Sequence, residues 1–122
     1  MTWNGWEHEL LGAMGIKPSA ARLSFLRAWA ACEGGTARFN PFNTTLELAG
    51  ATRYNRAGVR SYSDRYQGLA ATLLTLRLPY YDALRKALAA PNLSAVAIAR
   101  RSTVALDTWG TGTACILGRL TS

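Results

Sequence analysis

Apolar residues recur at helical spacing through most of this chain and lose that spacing in one central stretch. Trp3, Trp6, Leu10, Leu11 and Met14 predict a short amphipathic helix that stops at Gly15. Pro18 and Ser19 open a second, in which Leu23, Phe25, Leu26, Trp29 and Ala30 form a wide apolar face up to Cys32, and Gly34-Gly35 ends it. Ser63 then caps a third helix with Asp64 in its first turn, Tyr66, Leu69, Ala70, Leu73 and Leu76 along one face, and Pro79 as its stop. A fourth helix from Tyr80 to about Ala90 and a fifth from Ser94 to about Arg101 are divided by the breaker pair Pro91-Asn92. Past Ser102 the pattern weakens: Val104, Leu106 and Trp109 predict one last apolar turn, and Gly110-Thr-Gly-Thr reads as a loop before Ile116 and Leu117.

Between Thr36 and Tyr62 the period of 3.6 gives way to punctuation by Asn40-Pro41, Asn43, Gly50, Asn55 and Gly58. Two pieces there are β-compatible, Thr44 to Leu48 and Val59 to Tyr62, and they predict an irregular loop with a small hairpin. The expected fold is mainly α within an α+β plan: five to six helices, with the loop and hairpin after the second. At 122 residues the chain has room for one hydrophobic core, so a single domain over residues 1–122 is expected. No internal repeat or low-complexity segment interrupts it.

Composition changes this picture in three ways. Nearly half the residues are apolar and four are tryptophan, enough buried surface to offset the entropy of ordering. The longest apolar runs, Leu69 to Leu78 and Ala87 to Ala99, are broken well short of a bilayer span, and the first residues lack the cationic start and apolar core of a secretory signal. Action outside a cell would then need delivery by something other than a leader. Fourteen Lys and Arg against seven Asp and Glu give +7, a balance that favours polyanionic partners such as nucleic acid, teichoic acid or anionic cell wall. The cations are scattered from Arg22 to Arg119 and gather on no predicted helix, which fits a diffuse wall-binding surface and speaks against a nucleic-acid recognition helix. Cys32 and Cys115 fit neither a metal-ligand spacing nor a redox pair; they are a disulfide joining the last segment to the second helix or two buried thiols, and the missing leader favours the thiols.

The acid that carries most information is Glu33, at the point where an apolar helix is released by two glycines into the irregular segment. A carboxyl at such a cleft edge is partly withdrawn from water, which favours its protonated form, the form that protonates a glycosidic oxygen. The run Phe25-Leu-Arg-Ala-Trp-Ala-Ala-Cys-Glu33-Gly-Gly, followed by Asn40-Pro-Phe-Asn43, is similar to lysozyme-like glycosidases, especially bacterial and phage glucosaminidases and transglycosylases. Val59-Arg-Ser-Tyr62-Ser, a helix, and Pro79-Tyr-Tyr81-Asp-Ala-Leu84 resemble that group's later steps, and the whole resembles small domains encoded by phages of actinobacteria. The resemblance runs from about Leu23 to Leu88. It implies Glu33 as general acid, Asn40 and Asn43 as shapers of the cleft floor, and Tyr62 facing the sugar or the developing charge. Where such enzymes use a second carboxylate it lies in the hairpin, where Glu47 is the choice and Asp64 the next; transglycosylase-like members cyclise the sugar with one glutamate. The expected partner is bacterial peptidoglycan, with phage virion proteins as a further one, no cofactor, and a location in the virion or in the host cytoplasm before delivery to the wall.

Plainer readings accompany each residue. Glu33 could be a solvated helix end, although an acid there opposes the helix dipole. Glu47 could be an exposed hairpin acid, Asn40 to Asn43 simple turn chemistry, and Tyr62, Tyr54, Tyr80 and Tyr81 half-buried packing residues. His8, between Glu7 and Glu9, has no nucleophile beside it and reads as a surface residue; one His and two distant Cys argue against zinc, and Gly110-Thr-Gly lacks the lysine and flanking elements of a phosphate loop. A non-catalytic virion or wall-binding module of the same fold is the rival expectation.

Overall fold

A computed structural model describes residues 2–122. The chain is mainly helical: α1 spans Trp6–Ala13, α2 Ala20–Glu33, α3 Arg65–Leu76, α4 Asp82–Ala89, α5 Ala95–Arg101, α6 Thr103–Trp109 and α7 Thr113–Thr121. A two-stranded antiparallel hairpin, β1 (Thr52–Arg53) with β2 (Arg60–Ser61), pairs Thr52 with Ser61 and Arg53 with Arg60. The expected class therefore holds, with seven α-helices among the described residues where five to six were expected.

Local chemistry sets the boundaries. Ser19 and Ser94 sit in extended backbone and accept from the amides of Arg22 and Ala97, satisfying donors that the first turns of α2 and α5 leave unpaired. In α3 the cap is one residue later than expected: Asp64, not Ser63, accepts from the Gln67 amide, while the Gln67 side chain returns to accept from the Ser63 amide. Pro79 opens a 3-10 turn, Pro79–Tyr81, that leads into α4. The tail expected as one apolar turn and a loop is two helices, α6 ending at Gly110 in the left-handed conformation and α7 following Gly112.

α2 is the hub, packed against α1, α5 and α7, with α4 against α5 and α6, and α3 against α1. Its fully buried Trp29 stacks on Phe42 at 3.9 Å between ring centroids, and Trp109 and Phe25 flank it at 5.1 Å and 6.0 Å. Burying such a ring contributes roughly 2–3 kcal/mol, so this cluster fixes the loop that carries Phe42 onto the end of α2.

Three further expectations are corrected. The first strand lies at Thr52–Arg53 and not within Thr44–Leu48, because Thr44 is captured by the Asn40 side chain and the Leu48 carbonyl closes a turn onto Ala51. The buried face of α3 is Gly68, Ala71, Thr72 and Leu76, leaving Tyr66 65% exposed; the helix is rotated so that Gly68 abuts Phe39. Cys32 and Cys115 are a disulfide and not free thiols, tying α7 to the last turn of α2. Among the described residues no helix is long and apolar enough to cross a membrane.

Candidate functional site

Glu33 is the last residue of α2, and Gly34 after it adopts the left-handed conformation that turns the chain away. The half-buried Glu33 carboxyl is held from two sides. The Thr111 hydroxyl donates to its Oε1, and the Asn43 side-chain amide donates to its Oε2 at 3.4 Å and to its backbone carbonyl at 3.0 Å. Thr111 in turn accepts from the Trp29 indole N–H at 3.2 Å. Residues from α2, the irregular loop and the α6–α7 turn thus converge on one carboxyl.

The loop that presents Asn43 is built around Asn40, which is fully buried. The Asn40 amide donates to the carbonyls of Thr44 (2.9 Å) and Arg60 (2.7 Å), and its Oδ1 accepts from the Thr44 amide at 2.8 Å. With all these groups spent inside the protein, Asn40 shapes the loop from within and has no amide to offer a ligand. Asn43 lies beyond it at φ 57, a left-handed conformation that Asn tolerates better than most residues. Its Oδ1 lies close to Gly35, where a Cβ would come to 3.0 Å from it and from the Asn40 carbonyl oxygen, so a side chain there would require this bend to give by a few tenths of an ångström.

Asn43 also belongs to a pocket of about 150 Å³ whose other walls are Thr44, Thr45, Thr75, Tyr81 and Trp109. The lining combines an amide, three threonine hydroxyls, the Tyr81 phenol and the Trp109 indole and carries no charge. Trp109 is fixed by donating its indole N–H to the Phe42 carbonyl at 3.0 Å and by the Tyr81 ring 5.0 Å away. Burial pushes the Tyr81 phenol up from its ordinary value, with the neighbouring Tyr80 adding to the rise.

The remaining expected site residues lie elsewhere. Tyr62 is 1% exposed, and its hydroxyl donates to the Leu46 carbonyl at 2.7 Å and shares a hydrogen bond with Thr44 at 2.9 Å, so its ring packs the loop and does not face a ligand as the structure stands. Burial raises its proton affinity, against smaller opposing pulls from Thr44 and Arg60. Glu47 is a surface acid, its side chain 77% exposed and ion-paired with Arg60 at 2.5 Å. Asp64 caps α3. Among the described residues no three His, Cys, Asp or Glu side chains cluster in a way that could hold a metal ion.

Several arginines are likewise engaged internally. Arg22 donates to the carbonyls of Lys17, Leu88, Ala89 and Ala90 and so caps α4, while Arg85 holds those of Leu76 and Leu78. Part of the cationic excess is therefore structural, and the surface available to a polyanion is smaller than composition implies.

Sequence reasoning missed Thr111, Thr75 and Trp109 as neighbours of the Glu33 region. Thr111 lies in a segment that reads as a plain loop, and a single hydroxyl between two glycines has no pattern that ties it to a residue 78 positions away. Comparison with protein families, with characterised proteins and with solved structures gives no match to this chain.

Proposed function

We propose that this protein cleaves the glycan strands of bacterial peptidoglycan, with Glu33 as the general acid. The observation that carries this reading is the convergence of Thr111 and Asn43 on the half-buried Glu33 carboxyl, Asn43 being also a wall of the uncharged, hydroxyl-, amide- and aromatic-lined pocket. Sugars are bound by such walls: hydroxyls and amides match their O–H groups, and aromatic faces match their C–H faces. The pocket is half the roughly 300 Å³ at which drug-sized sites begin, a size suited to one ring of a chain that runs on across the surface.

In this mechanism Glu33 gives its proton to the glycosidic oxygen as the bond to the anomeric carbon breaks. The electron-poor carbon is then taken by water or by a hydroxyl of the same sugar. Water attack calls for a base to take the water's proton, for which Glu47 is the proposed residue; in internal attack the hydroxyl gives its proton to Glu33, left as a carboxylate by the first step, so no second carboxylate is needed. The ion pair of Glu47 with Arg60 favours the single-acid route. The wall's anionic polymers are met by the net charge of +7.

Replacing Glu33 by Gln keeps the shape and removes the proton. Lysis of purified cell walls by the variant is expected to fall by about 10²–10⁴-fold with the thermal midpoint little changed, whereas equal lysis by both forms would sink the proposal. Glu47→Gln separates the two routes: retained lysis with cyclised sugar ends marks internal attack, and lost lysis marks water activation.

A second reading, a non-catalytic wall-binding or virion module, is favoured by one observation: both Glu33 carboxyl oxygens are already engaged by the protein's own donors. Under it, wild type and Glu33→Gln sediment equally with purified walls and neither releases soluble glycan.

A further inference from the structure

We infer that Thr111 is the positioning residue of the Glu33 site and that Oε2 is the oxygen from which Glu33 delivers its proton. The inference rests on the proposed role of Glu33 as general acid. Trp29 is fully buried, stacked on Phe42 and packed against the tilted ring of Phe25, so its indole N–H has a fixed direction. An indole nitrogen only donates, so the Thr111 oxygen must accept from it, which leaves the hydroxyl proton to point at Glu33 Oε1. A hydroxyl has one proton and two acceptor sites, so the same contact survives when Glu33 is protonated. The plane of the carboxyl is thereby set in both of its forms.

Oε1 is held by Thr111, whereas Oε2, on the side of the pocket wall Asn43, accepts only that residue's 3.4 Å contact, so Oε2 is the less tightly held of the two oxygens. The backbone reinforces this arrangement. Thr111 lies between Gly110 at φ 103 and Gly112 at φ 75, a turn that brings the hydroxyl back toward α2. The Cys32–Cys115 disulfide joins the residue before Glu33 to a residue four positions after Thr111, so the two partners are pinned to each other covalently from just outside the hydrogen bond.

The test compares wild type, Thr111→Val, Thr111→Ser and Glu33→Gln on purified cell walls and on soluble glycan oligomers. Thr111→Val keeps the side-chain shape without the hydroxyl. It is expected to lower kcat by about tenfold to a hundredfold, the cost of letting a reacting group swing out of line, with KM for the oligomers unchanged. Thr111→Ser restores kcat. Should Thr111→Val lose its near-ultraviolet dichroism, Thr111→Ala takes its place with the same expectations. A folded hydroxyl-free variant with wild-type kcat, or a loss that Ser does not restore, overturns the inference alone. Wild type without lysis, or Glu33→Gln as active as wild type, overturns the glycosidase reading and this inference with it.

Discussion

Asn43 holds a left-handed backbone and a donor to Glu33 at the same time, and the two roles can be parted. Glycine accepts φ 57 without cost but has no amide, whereas alanine lacks the amide and is strained by roughly 1–2 kcal/mol. Asn43→Gly is therefore expected to lose only the hydrogen-bond term of about 0.5–1.5 kcal/mol in a denaturant titration and about tenfold in wall lysis, the scale of a misplaced catalytic group; Asn43→Ala loses the same lysis and a further ~1–2 kcal/mol of stability. Tyr62 makes a prediction of a different kind. Burial raises its folded-state pKa above the ordinary 10.0, so the stabilisation linked to its proton is fully present below about pH 10 and is lost as pH climbs through the folded value. Tyr62→Phe, which gives up the bonds to Leu46 and Thr44, should be less stable at neutral pH by about 1–2 kcal/mol. Its thermal midpoint should nevertheless fall less steeply than that of wild type above about pH 10.

At the scale of elements, α3 is seated by a missing side chain. A Cβ on Gly68 would lie 2.1 Å from the Phe39 carbonyl oxygen, in backbone that cannot swing aside, and Phe39 itself is held at φ 52. Gly68→Ala gains about 1 kcal/mol of helix propensity and is still expected to destabilise by at least about 2 kcal/mol net, a fall in thermal midpoint of about 8 °C or more by calorimetry. This contact also shows where the hydrophobic pattern stops informing. Helices with a serine cap and an apolar face, such as α2 and α5, the first also with a glycine stop, are legible because those signals are local. The face α3 buries is decided by a distant carbonyl, and the strand position by the side chain of Asn40 capturing Thr44, and neither leaves a mark in the periodicity. The site divides in the same way: Glu33 and the Asn40–Asn43 bend stand out beside each other along the chain, while Thr111 reaches Glu33 only through the folding of α6 and α7 against α2.

For the whole molecule, the disulfide between residues 83 apart is the largest single constraint. By the chain-entropy account, closing a loop of that length stabilises by about 4.5 kcal/mol. Replacing both Cys32 and Cys115 by Ala is expected to lower the free energy of unfolding by about that amount, read as a shift of the denaturant midpoint without a reducing agent. The same bridge divides the chain topologically. Its ring includes both strands and the exposed turn with Arg53 and Arg56. The segment ahead of Cys32, with α1, stands outside the ring, held there by packing such as Trp6 against Phe42. One tryptic cut at that turn would consequently leave a nicked particle of undiminished mass that reductant splits in two, whereas scission between α1 and α2 by a protease other than trypsin, which Pro18 bars from Lys17, would shed the leading arm once the packing is denatured, thiols or no thiols.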